Sequence, residues 1–164
     1  MRIRTLQLAL SLCTLTALPA VAAPFVRLPP VNGVPEVLDT ATGLVWRRCA
    51  EGQAWTGSTC GGTPMTFTWQ AALDHAKQQA SAAHAAWRLP NIKELSSLVD
   101  RQHTWPAMDP VVFPGATSEN YQSATPMSYD DEPFAVNFVN FALGEIQPWD
   151  FLDLAALRLV RNAR

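Results

Sequence analysis

One stripe of apolar and small residues limits what this chain can fold into. Trp69, Ala72, Leu73, Ala76, Ala80 and Ala83 recur at offsets of 3, 4, 7, 11 and 14, the period of a helix with one buried face. Thr68 stands where an N-cap belongs, so the spacing predicts a helix from Trp69 to about Ala82. A second start signal follows, with Asn91 as N-cap and Glu94 three residues on, close to a capping box. Its apolar face is Ile92, Leu95, Leu98 and Val99. Between the two, Trp87-Arg88-Leu89-Pro90 is too short for a helix, and Pro90 biases Leu89 towards extended geometry. Strand-like runs flank this pair: Val34–Leu38 and Leu44–Arg48 as a hairpin across Asp39-Thr40-Ala41-Thr42-Gly43, then Tyr121–Thr125, Phe134–Phe141, Leu143–Gln147 and Ala155–Arg161. With 13 Pro and 8 Gly the connections are heavily punctuated. Residues 101–120, broken by Pro106, Pro110, Pro114 and Gly115, read as a long surface loop. Two helices between groups of strands, with a long irregular loop, make the expected class α+β.

The N-terminus reads as a secretory signal peptide over residues 1–22. Arg2 and Arg4 form a charged start, Leu6–Leu18 an apolar run, and Ala20-Val21-Ala22 a cleavage site. The run is 13 residues long, against the roughly 20 that span a bilayer, so cleavage after Ala22 is expected and no membrane span thereafter. Cys13 follows Leu12, where a lipoprotein signal needs a small residue, so no lipid anchor is expected. Localisation is then periplasmic or secreted. Of the 164 residues, 142 remain, a single-domain length. They divide into a Pro-rich, loosely attached segment, 23–33, and a domain, 34–164. The signal takes two of the 12 basic residues and none of the 14 acids, leaving a net charge of −4. That balance disfavours nucleic acid as a partner.

Two cysteines remain, Cys49 and Cys60, in a compartment that permits disulfides. They bound a 12-residue loop containing Gly52, Gly57 and Ser58. A bridge there stabilises by roughly 3 kcal/mol on a chain-entropy account, and the alternative is two free thiols. The compartment and the flexible loop favour the bridge.

Several of these pieces together resemble one bacterial exported family, the Lcl C-terminal domain family, named after the collagen-like adhesin of Legionella. The resemblance is carried by Asp39-Thr40-Ala41-Thr42-Gly43-Leu44-Val45-Trp46, the Cys49/Cys60 pair, Thr68-Trp69-Gln70, and above all Trp87-Arg88-Leu89-Pro90-Asn91-Ile92-Lys93-Glu94-Leu95. Asp109, Phe113-Pro114, Ser123-Ala124-Thr125-Pro126, Val136-Asn137-Phe138 and Arg158-Leu159-Val160-Arg161 follow in the family's order. The resemblance implies a C-type-lectin-like fold, with two helices packed on small antiparallel sheets and a long irregular loop region that can carry a binding site, and a binding role towards glycans or surfaces. The chain departs from the pattern where the family usually has Trp, here Tyr121-Gln122. It departs again in a more acidic and more apolar segment, residues 144–153.

The chemistry expected is recognition rather than catalysis. No Gly-x-Ser-x-Gly elbow or phosphate-cradling glycine run is present. His75, His84 and His103 have no metal-ligand spacing, so no enzyme, cofactor or metal site is expected. Asp130, Asp131 and Glu132 could gather a cation, although a solvated acidic loop is the simpler reading, because Phe134 stands where a lectin-like calcium motif needs an oxygen. Of the aromatic residues, Trp46, Trp69 and Trp87 lie on periodic elements and are expected in the core. Trp105, Tyr121, Tyr129 and Trp149 lie in or beside loops and are the candidate ligand-binding residues. Arg158 and Arg161, with Arg164, add positive charge at the terminal strand and are candidates for an anionic glycan. Arg88 is expected to pair with Asp39 or Glu94, with ligand binding as the alternative. The expected function is an exported, adhesin-like binding module for a glycan or surface ligand. The alternative is a structural or assembly subunit that docks on an envelope protein, and the sequence leaves the oligomeric state open.

Overall fold

The computed structural model describes residues 24–129 and 132–163, with side chains described for all of these except 128, 129 and 132–134. Residues 1–23, which include the expected signal peptide, and Asp130, Asp131 and Arg164 lie outside the described residues. In chain order the strands are β1 (Phe25–Val31), β2 (Val34–Asp39), β3 (Leu44–Arg47), β4 (Ala54–Trp55), β5 (Cys60–Gly61) and β6 (Thr66–Phe67). Helices α1 (Trp69–Ala83) and α2 (Ile92–Ser96) follow, then β7 (Asn120–Tyr129), β8 (Glu132–Asn140), β9 (Glu145–Asp150), β10 (Ala155–Ala156) and β11 (Val160–Asn162). The fold is α+β, as expected. One sheet has the order β1-β2-β3-β11, a second the order β6-β10-β7-β8-β9, and β4 pairs with β5 alone. Every strand pairing is antiparallel except β10 with β7.

The segment expected to be loosely attached is instead the edge strand β1. Asn32 and Gly33, with φ of 51° and 78°, form the two-residue turn that joins it to β2, and Asn-Gly is the pair best suited to two left-handed positions. Pro29 and Pro30 cost little on an edge, where no donor is required of them. Phe25 anchors the strand, its ring edge-on to Phe113 at 5.8 Å. In the next hairpin Asp39 is committed to the turn. Its carboxylate accepts from the Ala41 N–H at 2.9 Å and the Thr42 hydroxyl at 2.7 Å, so Arg88 pairs with Glu94, at 2.7 and 2.8 Å. Burial works to raise the Glu94 pKa, but the Arg88 guanidinium and the Asn91 N–H outweigh it and hold the carboxyl below its ordinary value.

The first sheet is buried on both faces at β3. Trp46 enters one apolar cluster with Leu95, Met108, Phe113, Tyr121 and Phe141. Val45, pointing the other way as period two requires, enters a second cluster with Ala72, Ala76, Trp87, Leu157 and Leu159. The α1 stripe is what closes that second cluster. Thr68 occupies the N-cap position but its side chain makes no capping bond, whereas Asn91 and Glu94 form the full capping box. The α2 helix stops at Ser96, and Leu98 still reaches the first cluster.

Two expectations change. Ala155–Arg161 is not one strand: β10 joins the second sheet, β11 joins the first, and Leu157, Arg158 and Leu159 between them are fully buried. Residues 101–119 are irregular as expected, yet they are not a surface loop. Ala107, Met108 and Phe113 are buried, and backbone polar groups of the segment are satisfied both within it, where the Phe113 N–H donates to Asp109 O at 2.9 Å, and from other elements. The Ala107 N–H donates to Phe141 O at 2.7 Å. Arg48 donates to Val112 O and Val111 O at 2.8 and 3.0 Å. The Cys49–Cys60 disulfide is formed, with Cα atoms 5.4 Å apart.

Candidate functional site

Trp105 is the most exposed aromatic residue described, at 69 %, and its backbone is held at φ 56°. A bulky residue in the left-handed region is disfavoured by steric contact with its own carbonyl, and burial of the indole does not offset that cost. The conformation is maintained by its surroundings: the Trp105 N–H donates to Ala142 O at 3.3 Å, and the Asp100 N–H donates to Ala107 O at 3.0 Å. These bonds lay residues 103–107 along the turn between β8 and β9, where Leu143 is 54 % and Ile146 51 % exposed. A cleft of about 560 Å³ adjoins the turn, lined by Ser96, Val99, Arg101, Gly144, Glu145 and Ile146. The cleft thus carries one cation, Arg101, and one anion, Glu145, beside the apolar Val99 and Ile146. Sequence reasoning found Trp105 but missed Leu143 and Ile146. Two large apolar side chains flanking the turn glycine Gly144 were the available signal.

Asp100 closes the base of the same loop. Its carboxylate accepts from the Gln102 N–H at 2.9 Å and lies 2.9 Å from His103 Nδ1. The Gln102 bond is the main cause that lowers its pKa, working against slight burial and assisted by His103. A carboxyl with a depressed folded-state pKa contributes stability that is present above the unfolded value of about 3.9 and is lost as pH falls through the folded value. The Gln102 amide resonance is thus expected to titrate with a midpoint below 3.9. Asp100→Asn is expected to abolish that titration, and an unchanged titration in this variant would exclude Asp100 as its source.

The other candidates are dispersed. Tyr121 is fully buried, edge-on to Phe141 at 5.3 Å. Arg158 is fully buried too, its guanidinium 4.8 Å from the Phe113 ring centre. Neither side chain reaches a surface ligand, which corrects their assignment as contact residues. Trp149 is half-buried on the face of β9 opposite Ile146, and its ring packs edge-on to Phe138 at 4.9 Å. It serves as cover for the sheet rather than as a platform. Tyr129 lies in β7, with its side chain outside the described residues, as is that of Glu132. Arg161 remains partly accessible, bonded to Glu36 at 2.6 Å and stacked 5.2 Å from the Trp87 ring centre. It lines a different cleft from the one beside Trp105. Among the described residues no three His, Cys, Asp or Glu side chains are grouped to hold a metal ion, and no helix is long and apolar enough to cross a membrane.

A disulfide-closed α+β domain, with a strained exposed tryptophan and scattered arginines, defines a class of small domain without fixing a ligand. The family model for the Lcl C-terminal domain matches residues 35–161, and the chain belongs to that family. No curated protein sequence matches it.

Proposed function

We propose that this protein is an exported, non-catalytic binding module of the C-type-lectin-like kind, which recognises a glycan or surface ligand through the Trp105 loop and the adjoining turn between β8 and β9. The observation that carries the reading is Trp105 itself, because a strained and exposed conformation persists only where its neighbours over-determine it, and such positions cluster at ligand sites. An indole face covers the apolar face of a sugar ring. The opposite charges of Arg101 and Glu145 suit a ligand with hydroxyl donors and acceptors and no net charge. The lectin-like reading is supported by the two helices on small antiparallel sheets and by the long irregular segment that carries the tryptophan. The disulfide agrees with a periplasmic or extracellular address.

On a glycan array, Trp105→Ala is expected to weaken retention by about 2 kcal/mol, roughly thirtyfold, with the melting temperature unchanged. Equal retention of the wild type and the variant on every glycan would sink the proposal.

A second reading, an assembly subunit, is favoured by the connection between β9 and β10, where Leu152 and Leu154 are 79 % and 60 % exposed between acidic residues. Cross-linking in whole cells discriminates the two, since a stoichiometric protein partner without glycan retention supports the subunit.

A further inference from the structure

A cleft of about 640 Å³ lies between the C-terminal end of α1 and the β1–β2–β3–β11 sheet, and none of its lining residues belongs to the Trp105 surface. Its polar lining includes three guanidinium groups, those of Arg47, Arg88 and Arg161, against the single carboxylate of Glu36. Arg47 is only 8 % exposed. Its Nη1 donates to Glu51 at 2.8 Å and to Gln79 at 3.0 Å, and its buried Nε has no partner among the described residues. A guanidinium presents five donors in a rigid fork that matches a carboxylate, so a buried fork with a spare donor is an incomplete site. Arg47 and Arg161 both stack on Trp87, at 5.0 and 5.2 Å from its ring centre, so the one indole orients both heads. The opposite wall is small and apolar, built from Ala82, Ala83, Ala85 and Ala86 with Val31 and Val34.

We infer that this cleft binds a small carboxylate carried on a short apolar body, with Arg47 and Arg161 holding the carboxylate and the alanine wall covering the body. The carboxyl supplies acceptors to donors that Glu51 and Glu36 leave unfilled, and charge-assisted bonds of this kind are the strong ones. Each of the three guanidinium groups already has one carboxylate partner, Glu51, Glu94 or Glu36, so the cleft carries no net positive charge from them and a single carboxylate held by the remaining N–H donors fits better than a polyanion. The same chemistry could come from a peptide C-terminus or from an acidic monosaccharide.

An NMR titration of the purified protein distinguishes these sources, with acetyl-alanyl-alanine, its C-terminal amide and glucuronate as probes. Saturable shifts at the Ala85, Ala86 and Arg161 amides are expected with a free carboxylate and not with the amide. A response to the peptide alone or to glucuronate alone supports the inference and names the source. Arg47→Met is expected to weaken binding roughly tenfold or more. Because Arg47 also holds Glu51, Ala86→Glu provides a second variant: position 86 is exposed at the cleft, so a carboxylate placed there repels the ligand without disturbing the core. The same loss is expected, with the melting temperature unchanged. The inference is overturned by equal binding of acid and amide, by shifts that persist in Ala86→Glu, or by no saturable shift with either acid. Trp105→Ala is expected to leave this titration unaltered, which keeps the two surfaces experimentally separate.

Discussion

Arg158→Ala is expected to lower the unfolding free energy by about 4 kcal/mol and Arg158→Met by roughly half as much. The guanidinium is completely buried. Its Nη1 donates to the carbonyls of both Arg47 and Arg48, and its plane lies against Phe113 and Tyr121, at 4.8 and 5.7 Å from their ring centres. Burial pulls its pKa below the ordinary value, partly offset by nearby Tyr121 and Glu51. Three effects compete on substitution. Each orphaned carbonyl costs about 1–3 kcal/mol, the vacated volume adds a cavity cost, and removal of a buried charge without a directly bonded carboxylate returns part of the total. Methionine fills most of the volume and shares with alanine the carbonyl loss and the removal of the buried charge, so the difference between the two variants isolates packing. Urea melts give both numbers. A methionine variant as stable as the wild type would show that the lost carbonyl bonds are matched by new donors or by removal of the buried charge, and the stabilising role assigned to Arg158 would fall.

Gly115→Val comes second, with an expected loss of about 3 kcal/mol. Gly115 adopts φ +76°, which alone costs a β-branched residue on the order of 1–3 kcal/mol. A Cβ there would also collide with the carbonyl oxygen of Cys60 and sit 3.0 Å from Thr59 Oγ1. That obstacle is backbone, so it cannot rotate away. Residues 114 and 115 are where the irregular segment meets the cysteine loop: the Cys60 N–H donates to Pro114 O at 3.2 Å and Gln53 Nε2 to Gly115 O at 2.9 Å. The valine variant must part the two loops, so the melting temperature should fall and the buried disulfide should be reduced faster by an added thiol. Gly115→Ala, with the same backbone but less bulk, is expected to lie between. If valine melts at the wild-type temperature, the two loops are not clamped at this point.

The elements that were legible in the sequence are those whose signal is local. The Asp39–Gly43 turn, the α1 stripe and the Asn91/Glu94 box each lie within one element, and all three fold as their residues dictate. The cysteine pair was legible because only two remained in the expected mature chain. Elements set by distant partners were not. Nothing in Ala155-Ala156-Leu157-Arg158-Leu159-Val160 says that the chain changes sheets midway, because that is decided by Thr66–Phe67 and Tyr121 on one side and Leu44–Trp46 on the other. The burial of Arg158 was hidden for the same reason, since its acceptors are backbone carbonyls 110 and 111 residues away and leave no mark on side-chain pattern. The irregular segment looked like surface because prolines exclude regular structure, yet proline does not exclude burial once another element supplies the donors, as Arg48 does. Of the candidate site, Trp105 was legible from its position among loop residues. Leu143 and Ile146 were not, because they lie in the turn after β8 and at the start of β9, and that turn meets the Trp105 backbone only in three dimensions.

The change of sheet within the last ten residues bears on the timing of folding. Val160 pairs with Trp46 and Ala156 with Tyr121, so the final segment closes both sheets at once. Closing contacts so distant along the chain is slow, and synthesis proceeds from the N-terminus. The first sheet therefore lacks its fourth strand, and the second its link between β6 and β7, until residues 155–162 have been made. Loss of the last eight or nine residues would leave both apolar clusters open together rather than trimming one edge. Completion of this domain is an all-or-none event governed by the docking of the β10–β11 segment.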